Sequence, residues 1–546
     1  MGGKPGRTGR WYTGLPVVGG LLRDLLDPDG APYRRYLERE DRARRIRAQL
    51  FSLLAILSGL LYLAWIAAAI NPEHRWIGGA FVFAELMCFS LFFLATVNLW
   101  RLRFKPRDPP EPARAYSVDV FVLVCGEPLN VVEKTLRAVA RIEWEGTLGV
   151  LVLDDGASDP VRYLAESLGF RYRSRPRVGL ERSNAKAGNL NFGLAHSSSE
   201  LVLVLDADQV PRREIVRVLA GYMHFPRVAF VQSRQSFLVA DGDPFYNEDR
   251  VFYGAVQLGL DDQDTVISCG SGVLYRRAAL DDVGGFATWN LVEDLTTSYE
   301  LHAHGWKSFY YPYPLAEGMA PQDIWGVYKQ RGQWALDTMR LFFWDNPLLK
   351  RGLAWRKRLG YLLIGLTYLC SGFVIPLFFL IPPWSYLTGG RILVRPELEF
   401  AAVRVLYFSA MAVAIRYLAR GENPGKQFQI LVGLFPIYAL NTLRALRYRT
   451  SKPQYHVNNR AADGPPRPRP PLLAVLPQLA ILAANLLLPY YAISAETAPG
   501  RMIAANALVS ALAVWTLWPA IAAALGDHTW SAERHPLQFY GSLEAR

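Results

Sequence analysis

Two kinds of hydrophobic pattern alternate along this chain. Long unbroken apolar stretches occupy 48–70, 76–100, 360–382, 398–418, 472–494 and 502–525. Each is close to the roughly 20 residues that cross the hydrocarbon core of a bilayer. A single stretch of this kind could be a buried core helix. Six in one chain, several rich in Ala and Leu and nearly uncharged, predict six membrane spans. Between the second and third the pattern changes. Short apolar runs at Val118–Val124, 151–153 and 201–205 alternate with amphipathic stretches such as 131–141 and 212–224. Short continuous runs read as strands buried on both faces. Their alternation with helical patterns predicts an α/β domain, a mostly parallel sheet with helices on both sides.

The remaining segments divide the chain. Residues 1–47 form a polar, basic arm, expected to be partly disordered or a surface helix. Two spans fill 48–100, the α/β domain 101–319, and an interfacial helix region 320–356. That helix offers Trp325, Trp334 and Trp344 to the headgroup layer. Two more spans fill 357–425. Within 426–471, the stretch 426–448 is almost long enough to cross. It begins with Lys426 and Gln427, is interrupted by Asn441 and is followed by Arg444, so it reads as interfacial. A span there would reverse the sidedness of everything after it. The Pro-rich 464–471 is a linker. Two final spans fill 472–525, and 526–546 is a tail.

Charge orients these spans. The chain has 546 residues, 60 Lys and Arg against 48 Asp and Glu, and a net charge of +12. Arg42, Arg44, Arg45 and Arg47 precede the first span; Arg351, Arg356, Lys357 and Arg358 precede the third; the 420–469 segment is basic as well. The connections 71–75 and 495–501 carry little positive charge, whereas Arg391 and Arg395 make the third-to-fourth connection fit less well. The positive-inside rule then places both termini and residues 101–356 in the cytoplasm of a multi-pass inner-membrane protein. The excess positive charge reads as topology and contact with lipid headgroups, not nucleic acid. Cys88 and Cys370 lie in spans and Cys125 and Cys269 in the cytoplasmic part, without metal-ligand spacing, so four free thiols are expected. The first apolar stretch starts too late and runs too long for a cleavable leader. The tail is too short for an appended domain.

The chemistry sits where apolar runs end. Asp206-Ala207-Asp208 closes the run 201–205. In open α/β sheets, ligands bind at the carboxyl ends of strands. Two carboxylates there make an oxygen site for Mg²⁺ or Mn²⁺, which substrate phosphates would complete. The alternative is a solvated strand-end loop. Around this pair stand Cys125-Gly126-Glu127-Pro128, Asp154-Asp155-Gly156 and Lys186-Ala187-Gly188-Asn189. Downstream come Ser268-Cys269-Gly270-Ser271-Gly272, then Val292-Glu293-Asp294, then Gln330-Arg331-Gly332-Gln333-Trp334. In this order the set resembles the processive family-two glycosyltransferases, the cellulose, chitin and hyaluronan synthases, over residues 98–460.

The resemblance implies a GT-A-type domain and assigns roles. Asp206 and Asp208 would hold the metal. Asp154 or Asp155 would contact the uridine of a UDP-sugar, with Glu127, Lys186 and Asp206 also at the nucleotide. Asp294 would be the catalytic base beside Glu293; both could otherwise cap a helix. Lys186 could otherwise be a surface lysine. Cys269 and Gly270 would lie beside the acceptor. Gln330, Gln333 and Trp334 share one helix face, with Trp334 stacking on the acceptor sugar and the two Gln facing the diphosphate. Tyr455 and Arg460 resemble the aromatic and basic positions of a loop that closes over nucleotide in cellulose synthases; the alternative is a polar connector.

Two positions depart from the family. Val292 stands where Thr is usual, and Gln333 where Arg is usual. Gln brings neither charge nor a bidentate fork. Arg340, two turns on, is the first candidate to replace the missing charge, and Arg331 the next. Glu85, Asn485 and Asn506 are polar within spans, where a polysaccharide path could use them; interhelical hydrogen bonds explain the two Asn equally well. The expected function is a processive, inverting β-glycosyltransferase that extends a polysaccharide from a UDP-sugar and passes it through the lipid bilayer. A β-glucan from UDP-glucose such as cellulose is the first choice. Mixed-linkage or β-1,3-glucan and chitin- or hyaluronan-type polymers are alternatives, an accessory export subunit is an admissible partner, and a glycolipid-forming transferase or a non-catalytic membrane partner are the rivals.

Overall fold

The computed structural model describes residues 41–100, 109–394, 397–419, 422–451 and 470–526. Among them six helices are long and apolar enough to span a membrane: Ala43–Ala68, Pro72–Leu99, Trp355–Thr388, Leu398–Leu418, Leu476–Ser494 and Gly500–Leu525. They coincide with the six expected stretches. The third widens to a π turn at Cys370–Val374, just before Pro376, and is interrupted at Phe379–Leu380, ahead of Pro382 and Pro383, which have no N–H to give to the ladder.

Three connections meet at one end of this bundle. The Asn71 N–H donates to the Ile392 carbonyl at 2.8 Å, and its side-chain amide to the Arg391 carbonyl at 2.9 Å. Thr497 Oγ1 donates to the Tyr386 carbonyl at 2.7 Å. The α/β domain joins the opposite end, where Asn98 Nδ2 donates to the Val256 carbonyl at 3.2 Å. The short connections and the α/β domain thus lie at opposite ends of the bundle.

Buried polar groups inside the bundle close on one another. Glu85 lies 3.1 Å from Arg404 and accepts from the Tyr62 hydroxyl at 2.8 Å. Asn485 donates to the Phe379 carbonyl at 2.8 Å and accepts from Ser510 Oγ at 2.9 Å. Glu85 is therefore half of an ion pair joining three helices, and Asn485 an interhelical tie.

The 426–448 stretch is two helices, Pro424–Gly433 and Phe435–Arg447, meeting at a 60° bend. Ile430, Val432, Leu434 and Tyr438 of this pair share a core with Ile324, Val327 and Tyr328 of the helix Ile324–Trp344.

The strands of the α/β domain are β1 (Val118–Val124), β2 (Leu148–Asp154), β3 (Arg171–Arg173), β4 (Leu201–Asp206), β5 (Val210–Pro211), β6 (Val228–Arg234), β7 (Phe237–Leu238), β8 (Val273–Arg276), β9 (Lys307–Pro314) and β10 (Ala316–Met319). The main sheet runs β3-β2-β1-β4-β8-β6-β9, and β5-β10-β7 form a small second sheet. β1 is parallel to β2 and β4; β8 is antiparallel to both its neighbours. Every residue of β1 is buried. Val118, Val120 and Val122 face one apolar core and Phe121 and Leu123 the other, so the nearly continuous apolar run reflects burial on both sides. Asp119, the polar break in that run, is held by Arg171 at 2.6 Å and Ser197 at 2.5 Å.

Candidate active site

Register brings the strand ends together. Val124 pairs with Asp154, and Leu123 with Asp206. The turns carrying Glu127, Asp154-Asp155 and Asp206-Ala207-Asp208 therefore lie side by side at one edge. Glu127 turns back to accept the Cys125 N–H at 2.6 Å. Burial, with Asp206 and Asp154 nearby, pushes its carboxyl up.

Both acids of the second turn are engaged by protein donors. Asp154 accepts from the Gly156 N–H at 2.7 Å, the Ser158 N–H at 2.8 Å and the Tyr172 hydroxyl at 2.8 Å. Asp155 receives a bidentate Arg175, Nε at 2.9 Å and Nη2 at 2.5 Å. The same guanidinium donates to the carbonyls of Ser183 at 2.6 Å and Ala185 at 2.9 Å. Arg175 thus ties the acidic turn to the segment that delivers Lys186. Neither Arg175 nor Tyr172 stood out in the sequence, because nothing periodic links them to their partners.

Lys186 is the cation at the centre. Its Nζ lies 2.5 Å from Asp206 Oδ1, 3.6 Å from Glu293 Oε1 and 2.9 Å from the Gly270 carbonyl. Burial works against its charge, but Asp206 and Glu293 outweigh it and hold the ammonium above its ordinary value. Asp208 follows on the next turn, accepts from the Met319 N–H at 3.3 Å, and is pushed up to about 7 by burial and by the charge of Asp206.

Glu293 and Asp294 open the helix Glu293–Ala303. Asp294 Oδ1 accepts its neighbour's N–H, from Leu295 at 2.6 Å. Burial first, then Glu293, holds the Asp294 carboxyl well above the usual range. Asp294 is half-buried, so a ligand can reach it, whereas Glu293 is buried. The two acids and Lys186 meet over Gly270. This residue has φ +75°, and an added Cβ would fall 2.9 Å from Asp294 Oδ2 and 3.0 Å from Lys186 Nζ. The left-handed backbone favours glycine, and any added Cβ would push these side-chain ends aside. The loop carrying it is clamped. Gln232 accepts the Cys269 N–H at 2.7 Å and donates to the Ser271 carbonyl at 2.9 Å. Burial raises the Cys269 thiol and disfavours its thiolate.

Gln330, Gln333 and Trp334 lie half-buried on the helix Ile324–Trp344. On the same helix, Arg340, expected to supply the missing charge, is engaged by protein partners. Its guanidinium is fully buried. It donates to the carbonyls of Tyr448 at 2.9 Å and Trp289 at 3.3 Å and to Asn290 Oδ1 at 2.8 Å, and lies 3.6 Å from Asp337. These contacts tie it into the protein. Arg331, also buried, donates to the Tyr246 carbonyl at 2.8 Å and lies 3.7 Å from Asp249. Tyr455 and Arg460 lie outside the described residues.

Residues 201–418 match the family model described as glycosyl transferase family group 2. Cellulose synthase 1 of Komagataeibacter xylinus is 33% identical over 369 residues, covering 63% of this chain and 23% of that protein. The UDP-forming cellulose synthase catalytic subunit of Xanthomonas axonopodis pv. citri is 36% identical over 293 residues, covering 51% of this chain and 39% of the relative. That of Komagataeibacter sucrofermentans is 31% identical over 397 residues, 69% and 52% respectively. The match thus spans between 23% and 52% of these relatives. Among solved structures, the mannosyltransferase PcManGT from Pyrobaculum calidifontis in complex with GDP-Man and Mn²⁺ is 18% identical with a TM-score of 0.48, covering 68% of this chain and 98% of that one.

Proposed function

We propose that this cellulose synthase-like chain, with its family-two domain of GT-A type, is a processive, inverting β-glycosyltransferase. It uses a UDP-sugar, with UDP-glucose as the first choice and a β-glucan such as cellulose as the product. The domain faces the cytoplasm and the polymer leaves through the bilayer, with 426–448 lying at the interface. The observation that carries this reading is the meeting of Lys186, Asp206, Glu293 and Asp294 over Gly270, at the carboxyl ends of parallel strands.

The residues present fit a divalent cation. Among the described residues no three His, Cys, Asp or Glu converge as a complete ligand cluster. Asp206 and Asp208 instead offer two crowded carboxylates, a donor set that Mg²⁺ or Mn²⁺ completes with substrate phosphates. Bound there, the ion would neutralise charge on the departing diphosphate. Asp294 takes the proton of the acceptor hydroxyl, whose oxygen bonds to the anomeric carbon as the bond to UDP breaks. A carboxyl raised by burial is a better base near neutral pH than an ordinary one. Lys186 holds Asp206 and Glu293 in place. Trp334 offers a flat face to the acceptor sugar, and Gln330 and Gln333 offer amide donors to the diphosphate.

A second reading has one observation behind it. Gln333 carries no charge, and Arg331 and Arg340 are both tied into the protein. A chain that kept the fold without turnover would serve as a membrane partner of an active synthase. Purified protein in lipid nanodiscs, offered several UDP-sugars with Mg²⁺ or Mn²⁺, separates the two. UDP release with a mass-resolved polymer supports the transferase. No UDP release from any donor supports the partner.

A further inference from the structure

The helix Ile324–Trp344 does more than present Gln333 and Trp334. One turn on from them it carries Asp337, which is fully buried. Asp337 Oδ2 accepts the Val292 N–H at 2.6 Å. Val292 is the residue that caps the helix opened by Glu293 and Asp294, and its own side chain makes no capping bond. Helix starts leave N–H groups without intrahelical partners. Here a carboxylate from another helix supplies the acceptor that a side chain within the helix often provides. Arg340 lies 3.6 Å from the other oxygen, Asp337 Oδ1, and grips Asn290 and Trp289 of the same turn. Its guanidinium also stacks over the Trp289 ring at 4.8 Å. Asn290 Nδ2 donates back to the Asp337 carbonyl at 3.2 Å. The Trp289–Val292 turn is thus gripped from both sides by two residues of one helix face.

We propose that Asp337, balanced by Arg340, is a positioning residue that fixes the Val292 turn and through it sets Asp294 in register with Gln333 and Trp334. The inference rests on the transferase reading above. A single rigid face would then present acceptor and diphosphate contacts at one level and hold the base at the next. Reactions of this kind are sensitive to placement: about 1 Å of displacement can cost about 100-fold.

The experiment compares wild type, Asp337→Ala and the double variant Asp337→Leu with Arg340→Met, all full-length in nanodiscs. The double variant removes both charges together. Replacing a whole buried pair by apolar groups is commonly neutral or stabilising, whereas removing one partner strands the other. It therefore keeps the test decisive if Asp337→Ala fails to fold. Turnover is read as UDP release per UDP-binding site, alongside the donor KM, UDP affinity and the thermal midpoint. Turnover is expected to fall about 10- to 100-fold in the double variant, with KM and UDP affinity within about twofold of wild type. Turnover within about twofold of wild type overturns the inference. So does a loss in which UDP affinity and thermal midpoint fall together, since that marks a purely structural role. A wild type that releases no UDP from any donor removes the transferase reading, and this inference with it; the wild-type arm tells that failure from the others.

Discussion

Substituting Ala for Gly270 tests the centre of the site, because stability and activity should respond to different parts of the change. The backbone there has φ +75°. An Ala in that left-handed region costs about 1–2 kcal/mol. The new methyl group would also meet Asp294 Oδ2 at 2.9 Å, Lys186 Nζ at 3.0 Å and Glu293 Oε1 at 3.4 Å. These are the ends of side chains, which can swing aside, so the contacts add little to the loss of stability. They are also the base and the cation of the proposed mechanism. A shift of a few tenths of an ångström to 1 Å in those atoms corresponds to a loss of up to about 100-fold in turnover, or about 2.7 kcal/mol in the barrier. Gly169→Ala is the matched control. Its φ is +77° and an added Cβ has nothing within 4 Å. Both variants should lose about the same stability in thermal unfolding. Only Gly270→Ala should lose UDP release. Equal turnover in the two variants refutes the assignment of Asp294 and Lys186 as the reacting centre.

Four further outcomes are expected. Asp208→Asn should lower turnover at least about 100-fold, with chelation doing the same to wild type. In metal-free protein, Asp208 keeps its proton up to about pH 7, against about 3.9 in an unfolded chain. The folded state holds the extra proton in between, so stability falls as pH rises from about 4 to 7. Thermal unfolding at pH 5 and pH 8 should show a smaller difference in Asp208→Asn than in wild type; an unchanged difference refutes this. Val292→Thr should stabilise by about 0.5–2 kcal/mol, since Val292 sits at a helix N-cap with extended backbone and no side-chain cap; a lower unfolding midpoint contradicts it. Gln333→Arg should raise turnover with the donor KM little changed, because charge-assisted hydrogen bonds are roughly twice as strong as neutral ones; steady-state UDP release checks it, and an unchanged or lower kcat refutes it.

The strand ends were legible because parallel strands buried on both faces leave an unbroken apolar run with a polar stop. Leu201–Asp206 is such a run, and Val118–Val124 nearly so but for Asp119; their stops form the candidate site. The direction of β8 was not legible. An antiparallel strand inserted between β4 and β6 has the same apolar pattern as a parallel one. Partners also escaped. Arg175 grips Asp155 from twenty residues away, and Arg404 meets Glu85 from another span. A hydropathy window averages one arginine into an otherwise apolar helix, so the cation that answers Glu85 was hidden in the stretch that predicted the span.

Arg340 shows where helical periodicity stops being informative. Seven residues are nearly two turns, so Arg340 and Gln333 do share a face. They also lie about 10 Å apart along the axis at 1.5 Å per residue. Periodicity fixes the angle of a side chain but not which neighbour it meets at its own level. At the level of Arg340 that neighbour is the Trp289–Val292 turn, with Asp337 beside it supplying the opposite charge. A buried guanidinium held by carbonyls, an amide oxygen and a carboxylate would leave Asp337 unpaired if it swung out to meet a phosphate, at a cost of about 3–5 kcal/mol. In this structure, then, Arg340 is engaged with the Trp289–Val292 turn and is not free to supply the charge that Gln333 lacks. That charge is either brought by another element when the nucleotide binds, or its absence is expressed in the rate.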